Sequence, residues 1–183
     1  MDYTKLVKGI LPQVLLASKL INNPEIAPEV RRRNQEILLQ TVGTGVYAKA
    51  YDMNAFDMNI EYTKPKPIDK RYYGLAKITS DSISTGVEAE VLITAYLSGM
   101  AAKAQSDTFK IALEAGESPT MERTTTGAIT CAWCRGKAGK YTDPGPDAFD
   151  RHNFCDCKIY TSGYKSRNGL LDNYKKPKNA NLV

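Results

Sequence analysis

The chain has 183 residues, of which 42% are hydrophobic, and it carries 25 Lys and Arg against 20 Asp and Glu for a formal charge of +5. That suffices for one domain of ordinary size, or a small domain with a helical extension, and the mild charge does not by itself imply a nucleic-acid partner. No apolar run approaches the length of a membrane span, and there is no heptad array, repeat or low-complexity tract.

The first stretch runs to about Val42. Leu6, Val7, Ile10, Val14 and Leu15 predict a helix with Pro12 near a bend, and Asn22 to Glu25 interrupts it. Pro28 and Glu29 then open a second helix through Arg31, Ile37, Leu38 and Val42, which Gly43 and Gly45 are expected to stop. Arg31 to Arg33 form the densest positive patch, read as a solvated helix face with a nucleic-acid contact as the alternative. From Thr44 to about Lys77 the pattern is ambiguous. Tyr47, Tyr51, Phe56 and Ile60 fit a helix or an extended arm, and the alternating prolines of residues 62–68 read as a linker. Lys64, Lys66, Lys70 and Arg71 with Tyr62, Tyr72 and Tyr73 mix cations and aromatics, in an ordinary loop or in a surface that stacks on nucleic acid.

The third stretch, about Ser82 to Ala115, carries the strongest helical signal. Val87, Val91, Ala95, Leu97, Met100, Ala104, Ile111 and Ala112 are mostly helix formers, and Gly116 can cap the end. Ser106 and Asp107 offer a division into two helices. Glu88, Glu90 and Glu114 lack the spacing of a catalytic carboxylate pair and read as surface. Beyond Pro119, Arg123 to Thr130 is β-rich and leads into Cys131, and Lys158 to Thr161 is a second strand candidate. The tail after Tyr164 is polar and basic, and reads as mobile or ordered by a partner. The pattern divides into 1–80, helical or extended; 81–118, helical; 119–164, a Cys/His region; and 165–183, a basic tail. The fold class is α+β, a helical N-terminal two-thirds followed by a small β-rich zinc knuckle.

The chemistry concentrates in Cys131-Ala132-Trp133-Cys134 and His152-Asn153-Phe154-Cys155-Asp156-Cys157. The twenty-seven residues from Cys131 to Cys157 hold all four cysteines and the single histidine. Two short ligand pairs separated by a loop wrap a tetrahedral zinc ion. Two residues between Cys131 and Cys134 let one tight turn aim both sulfurs at one point, with the Trp133 ring placed to shield the ion. The loop from Arg135 to Arg151 is rich in glycine and proline and can double back. One ion needs four ligands and five are offered. Cys131 and Cys134 form the first pair. The second is His152 with Cys155, favoured because a Cys-x-Cys chelate is less common, or a pairing that uses Cys157. Disulfides are the competing use of the cysteines. The start of the chain shows no sustained apolar core or small-residue cleavage site of the kind that precedes a secreted framework.

The run Arg123…Cys131-Ala132-Trp133-Cys134…Gly139…Tyr141…His152…Cys155-Asp156-Cys157 resembles the C-terminal motif of phage minor head proteins similar to protein F of phage Mu (MuF-like). The motif has an upstream arginine, a Cys-x-x-Cys turn, a glycine followed by a bulky residue, and His-x-x-Cys-x-Cys entering a strand. The resemblance covers about the last third of the chain. It departs from the pattern at Arg151, where proline is common, and at Asp156, where a basic residue is common. It implies a virion protein made in the host cytoplasm, associated with the portal or head interior and acting in head assembly or genome delivery. Its partners would be portal and capsid proteins in a multi-subunit assembly, with packaged DNA as a candidate contact and no membrane.

The ligand inventory argues against an enzyme. No His-x-Glu accompanies the cysteines as in zinc deaminases, and the histidines that HNH nucleases need to bind a catalytic ion are missing. No catalytic or organic-cofactor residues are assigned. The expectation is a structural minor head protein whose helices pack against other subunits and whose knuckle is locked by zinc through four of Cys131, Cys134, His152, Cys155 and Cys157. The alternative is a zinc-stabilised nucleic-acid-binding protein.

Overall fold

The computed structural model describes residues 4–58, 60, 70–84, 88–125, 131–145, 148–149 and 157–162. The expected linker at 62–68, Val87, the end of the first β-rich run, His152, Cys155 and the basic tail lie outside the described residues. The elements are α1 (Thr4–Ile21), α2 (Pro28–Asp57), α3 (Lys70–Ser84), α4 (Ala89–Glu114), β1 (Thr120–Thr125), α5 (Ala132–Gly136), β2 (Gly139–Tyr141) and β3 (Cys157–Ser162). The fold is α+β, mostly helical with a small antiparallel sheet near the C-terminus.

Helix α1 runs unbroken through Pro12. Val7 and Val14 are buried, and Leu6, Ile10, Leu11 and Leu15 pack beside them at helical spacing. Helix α2 begins with Pro28 in its first turn and Glu29 on the favourable side of the helix dipole. It does not stop at Gly43 and Gly45 but continues to Asp57. Tyr47, Ala50, Tyr51 and Ala55 extend the buried stripe begun by Leu39 and Val46. Gly43 is a point of close approach rather than a helix end. A Cβ built there would lie 2.6 Å from the Tyr96 Oη of α4. Burial of that stripe outweighs the roughly 1 kcal/mol by which each glycine disfavours helix.

Helix α3 occupies part of the segment that was ambiguous in sequence. Ala76, Ser80 and Ile83 form its buried edge. Ser80 Oγ donates to the Arg32 carbonyl at 2.8 Å, fixing α3 against the first part of α2. The exposed Arg32–Asp81 pair beside it, at 3.8 Å, adds little.

Helix α4 is not divided at Ser106 and Asp107. The whole turn from Gln105 to Thr108 is buried, and neighbouring elements satisfy most of its polar groups. Tyr47 Oη donates to Asp107 Oδ2 at 2.8 Å, and Lys103 Nζ donates to Asp107 Oδ1. Asn54 Nδ2 donates to Thr108 Oγ1, and Gln105 Nε2 donates to the Ile159 carbonyl at 3.3 Å. The helix ends as expected at Gly116, whose φ of 79° closes a Schellman cap. The Gly116 N–H reaches the Leu113 carbonyl at 3.0 Å, and the Glu117 N–H reaches that of Ala112 at 2.9 Å.

The sheet has the order β2-β1-β3, with β1 antiparallel to both neighbours. β1 and β3 correspond to the two predicted strands; β2 was not anticipated. Arg123 pairs with Ile159 on one side and Gly139 on the other, and Thr125 pairs with Cys157. A second core joins sheet to helices. Met58, Phe109 and Ala112 pack with Met121, Ile159, Ala148 and Phe149. The Phe109 and Phe149 rings meet edge to face at 5.6 Å. Thr161 Oγ1 donates to Asn54 Oδ1, so Asn54 bridges β3 to Thr108 of α4.

Two predictions follow from the helical packing. Gly43→Ala should lower the urea midpoint by the equivalent of about 1–3 kcal/mol, because the added methyl meets a buried ring. Gly45→Ala should raise it by about 0.5–1 kcal/mol, because that position is exposed with open space around it. Equal effects at the two glycines would contradict the packing. The second concerns alkali. Burial, with the neighbouring Tyr73 second, pushes the Tyr96 phenol from 10.0 up to about 12. Tyr47 is raised in the same direction by burial and by its bond to Asp107. A phenol with a raised folded pKa contributes stability that is complete below the unfolded value and is lost as pH rises through the folded one. Urea midpoints should therefore fall as pH rises from about 10 to 12, and Tyr96→Phe should flatten the fall by up to about 1.4 kcal/mol per pH unit.

Candidate metal centre

Strand β1 delivers the chain to the Cys131 turn, and β2 carries it back along the same strand. Cys131 is the N-cap of α5, with extended backbone at φ −71° and ψ 161°. Its Sγ accepts the N–H of Cys134 at 3.3 Å, and its carbonyl accepts the N–H of Arg135 at 3.0 Å. Both cysteines therefore lie on one tight turn, as the spacing predicts. Cys134 is buried, Cys131 half-buried, and neither is in a disulfide.

Arg123 stands at the middle of the central strand and is fully buried. Its Nη1 donates to the Ala148 carbonyl at 2.8 Å and its Nη2 to Cys134 Sγ at 3.5 Å. Its guanidinium carbon lies 5.0 Å from the centroid of the Trp133 ring, and Lys137 Nζ lies 5.1 Å from the same centroid. Trp133 keeps 42% of its surface exposed while stacking on these two cations. Tyr141 Oη donates to the Lys137 carbonyl at 2.9 Å, and Gly139, at φ 152°, opens β2 opposite Arg123.

A buried guanidinium is costly unless its donors are met. Here a carbonyl, a sulfur and an indole face meet it. A neutral thiol is a weak acceptor, whereas a thiolate beside a cation is a strong one. The contact holds the Cys134 sulfur on the guanidinium side of the turn. Two sulfurs on one turn, an N–H···S bond and a neighbouring cation fit the donor chemistry of a structural zinc site.

Cys157 is the first residue of β3, with its backbone opposite Thr125. The register thus brings it to the end of the sheet from which β1 departs towards Cys131. With His152 and Cys155 outside the described residues, no group of three or more His, Cys, Asp or Glu comes together among the described ones. Sequence reasoning placed Arg123 in the motif without a role and did not find the Ala148 carbonyl that anchors it. A buried backbone acceptor carries no side-chain signal.

No protein-family profile, curated protein or solved structure matches the chain.

Replacing Arg123 by Met should cost about 2–3 kcal/mol, because the Ala148 carbonyl loses its donor and Trp133 its stacking partner. Trp133 is the only tryptophan, so its emission reports on this turn alone. Emission should shift to the red in Arg123→Met and also in Arg123→Lys, since an ammonium cannot fork between a carbonyl and a sulfur as a guanidinium does. Unchanged emission and midpoint in both variants would remove Arg123 from the centre of the turn.

Proposed function

We propose that this chain is a non-enzymatic structural minor head protein of a tailed bacteriophage, associated with the portal or head interior and acting in head assembly or genome delivery. The observation that carries the reading is the buried position of Arg123 against Cys134 and Trp133. The sequence resemblance rests on an arginine, a Cys-x-x-Cys turn, a glycine, a bulky residue and a cysteine entering a strand. Those positions belong to one three-stranded unit: Arg123 contacts the turn, Gly139 pairs with Arg123, Tyr141 closes the return, and Cys157 starts the partner strand. An ordered string of residues thereby has a common structural purpose, which supports the resemblance.

In this reading Cys131 and Cys134 supply two zinc ligands, and two of His152, Cys155 and Cys157 supply the others. The bound ion would act as a cross-link, tying the turn to the segment before β3. Exposed apolar residues on the helices, among them Leu16 and Leu20 on α1 and Ile78 on α3, suit packing against other subunits.

Metal analysis of protein purified under reducing conditions should give about one zinc per chain. Chelator, or Cys134→Ser, should shift Trp133 emission and loosen residues beyond about 120 while far-ultraviolet helical signal persists. Absence of stoichiometric metal, or collapse of the whole helical signal, would overturn the knuckle. For the assembly role, the chain co-expressed with portal and head proteins of a tailed phage should co-purify with them after nuclease treatment. Its failure to do so with any of them would overturn the head-protein reading.

A further inference from the structure

Helix α2 packs against α1, α3 and α4, and its remaining side is left to solvent. Along that side Val30, Asn34, Ile37, Thr41, Thr44 and Ala48 recur at alternating intervals of four and three residues, the spacing with which one helix meets another. Val30 is 44% exposed and Ile37 51%. Asn34, Thr41 and Thr44 are exposed, and Ala48 is half-buried. None of the six carries a charge. Gly45 is exposed beside them, and no atom lies within 4 Å of a Cβ built there. The Tyr96 ring accounts for Gly43, but among the described residues Gly45 has no such neighbour, although glycine disfavours a helix interior.

The two ends of this side differ in charge. Arg31 and Arg33 stand at its start and Asp52 beyond its end. Asp52 follows Arg31 by twenty-one residues, three heptads, so the two share one flank. Among the described residues neither has an ion pair or a side-chain hydrogen bond.

We propose that this side of α2 is a self-association surface, on which a second copy of the chain packs its own α2 antiparallel across a two-fold axis. Antiparallel packing sets Arg31 of each copy against Asp52 of the other, twice by symmetry. Parallel packing would instead set the arginines of one copy against those of the other. In the antiparallel register Ile37 of one copy lies over Ala48 of the other, and Thr41 over Thr44. Gly45, with no side chain, leaves room for the second backbone to come close. The helix from Val30 to Ala48 is about 27 Å long, a smaller contact than a standard interface. The dimer is therefore weak, with a dissociation constant on the order of 100 µM. The inference rests neither on the head-protein reading nor on zinc.

The test is sedimentation velocity of the full chain from about 10 µM to about 1 mM, where a shift from monomer to dimer is expected. Ile37→Glu puts a charge in the contact and should weaken the dimer at least about tenfold. Its far-ultraviolet signal and urea midpoint should match wild type, because the side chain is exposed in the monomer. Arg31→Asp and Asp52→Arg should each weaken the dimer several-fold, and the two together in one chain should restore it. That restoration cannot come from a misfolded variant. A dimer that resists Ile37→Glu lies elsewhere on the chain and overturns the proposal. So does a dimer that the paired charge reversal fails to restore, or a monomer at every concentration, even one that binds portal or head proteins. Zinc content and co-purification with head proteins are read separately, so either proposal can fail alone.

Discussion

A guanidinium with no exposure to water governs the C-terminal part of this protein. Arg123 lies on the central strand with one guanidinium nitrogen on the Ala148 carbonyl and another on the Cys134 sulfur, and the surrounding chain is placed by those contacts. The loop after β2 returns to present the Ala148 carbonyl. The short helix after β1 turns so that Cys134 faces inward and Trp133 covers the guanidinium plane. These requirements act on segments far apart in sequence, which makes the side chain an organising centre for a region with few large apolar residues of its own. They also explain why a Cys-x-x-Cys turn here differs from two cysteines on an unconstrained loop: one sulfur is oriented by a cation, the other by a backbone N–H.

The sheet is not an appendage to the helices. Phe109 and Ala112 of α4 and Met58 beyond α2 share a core with Met121 and Ile159. Asn54 connects Thr161 of β3 to Thr108 of α4 inside that junction. Buried polar groups of this kind contribute modestly to stability while they are paired and are costly once a partner is lost, so they fix one docking arrangement over its near neighbours. The consecutive buried residues Gln105 to Thr108 have the same effect on α4, which is enclosed on all sides at that level.

What the sequence made legible follows from the range of the interactions. The first helix, the long fourth helix, its Gly116 cap, both longer strands and the Cys131 turn depend on local periodicity or local spacing, and they were readable. The errors fall where a distant side chain decides. Gly43 and Gly45 looked like a helix end because nothing nearby reveals the Tyr96 ring that Gly43 accommodates. Ser106 and Asp107 looked like a break because the partner of Asp107, Tyr47, is sixty residues away. Helix α3 was hidden by the cations and aromatics of its first turns, although Ala76, Ser80 and Ile83 mark its buried edge. In the candidate site the two cysteines of the turn were legible from spacing, whereas the role of Arg123 depended on a carbonyl 25 positions further along.

The notch at Gly43 has a mechanical consequence. A ring seated in a gap without a side chain acts as a detent, because sliding α2 along α4 by one residue would drive Tyr96 into a neighbouring backbone or Cβ. Shear between the two longest helices is thereby blocked. The same helix is tied at its far end by Asn54, whose bonds to Thr108 and Thr161 hold it to α4 and to the three-stranded sheet.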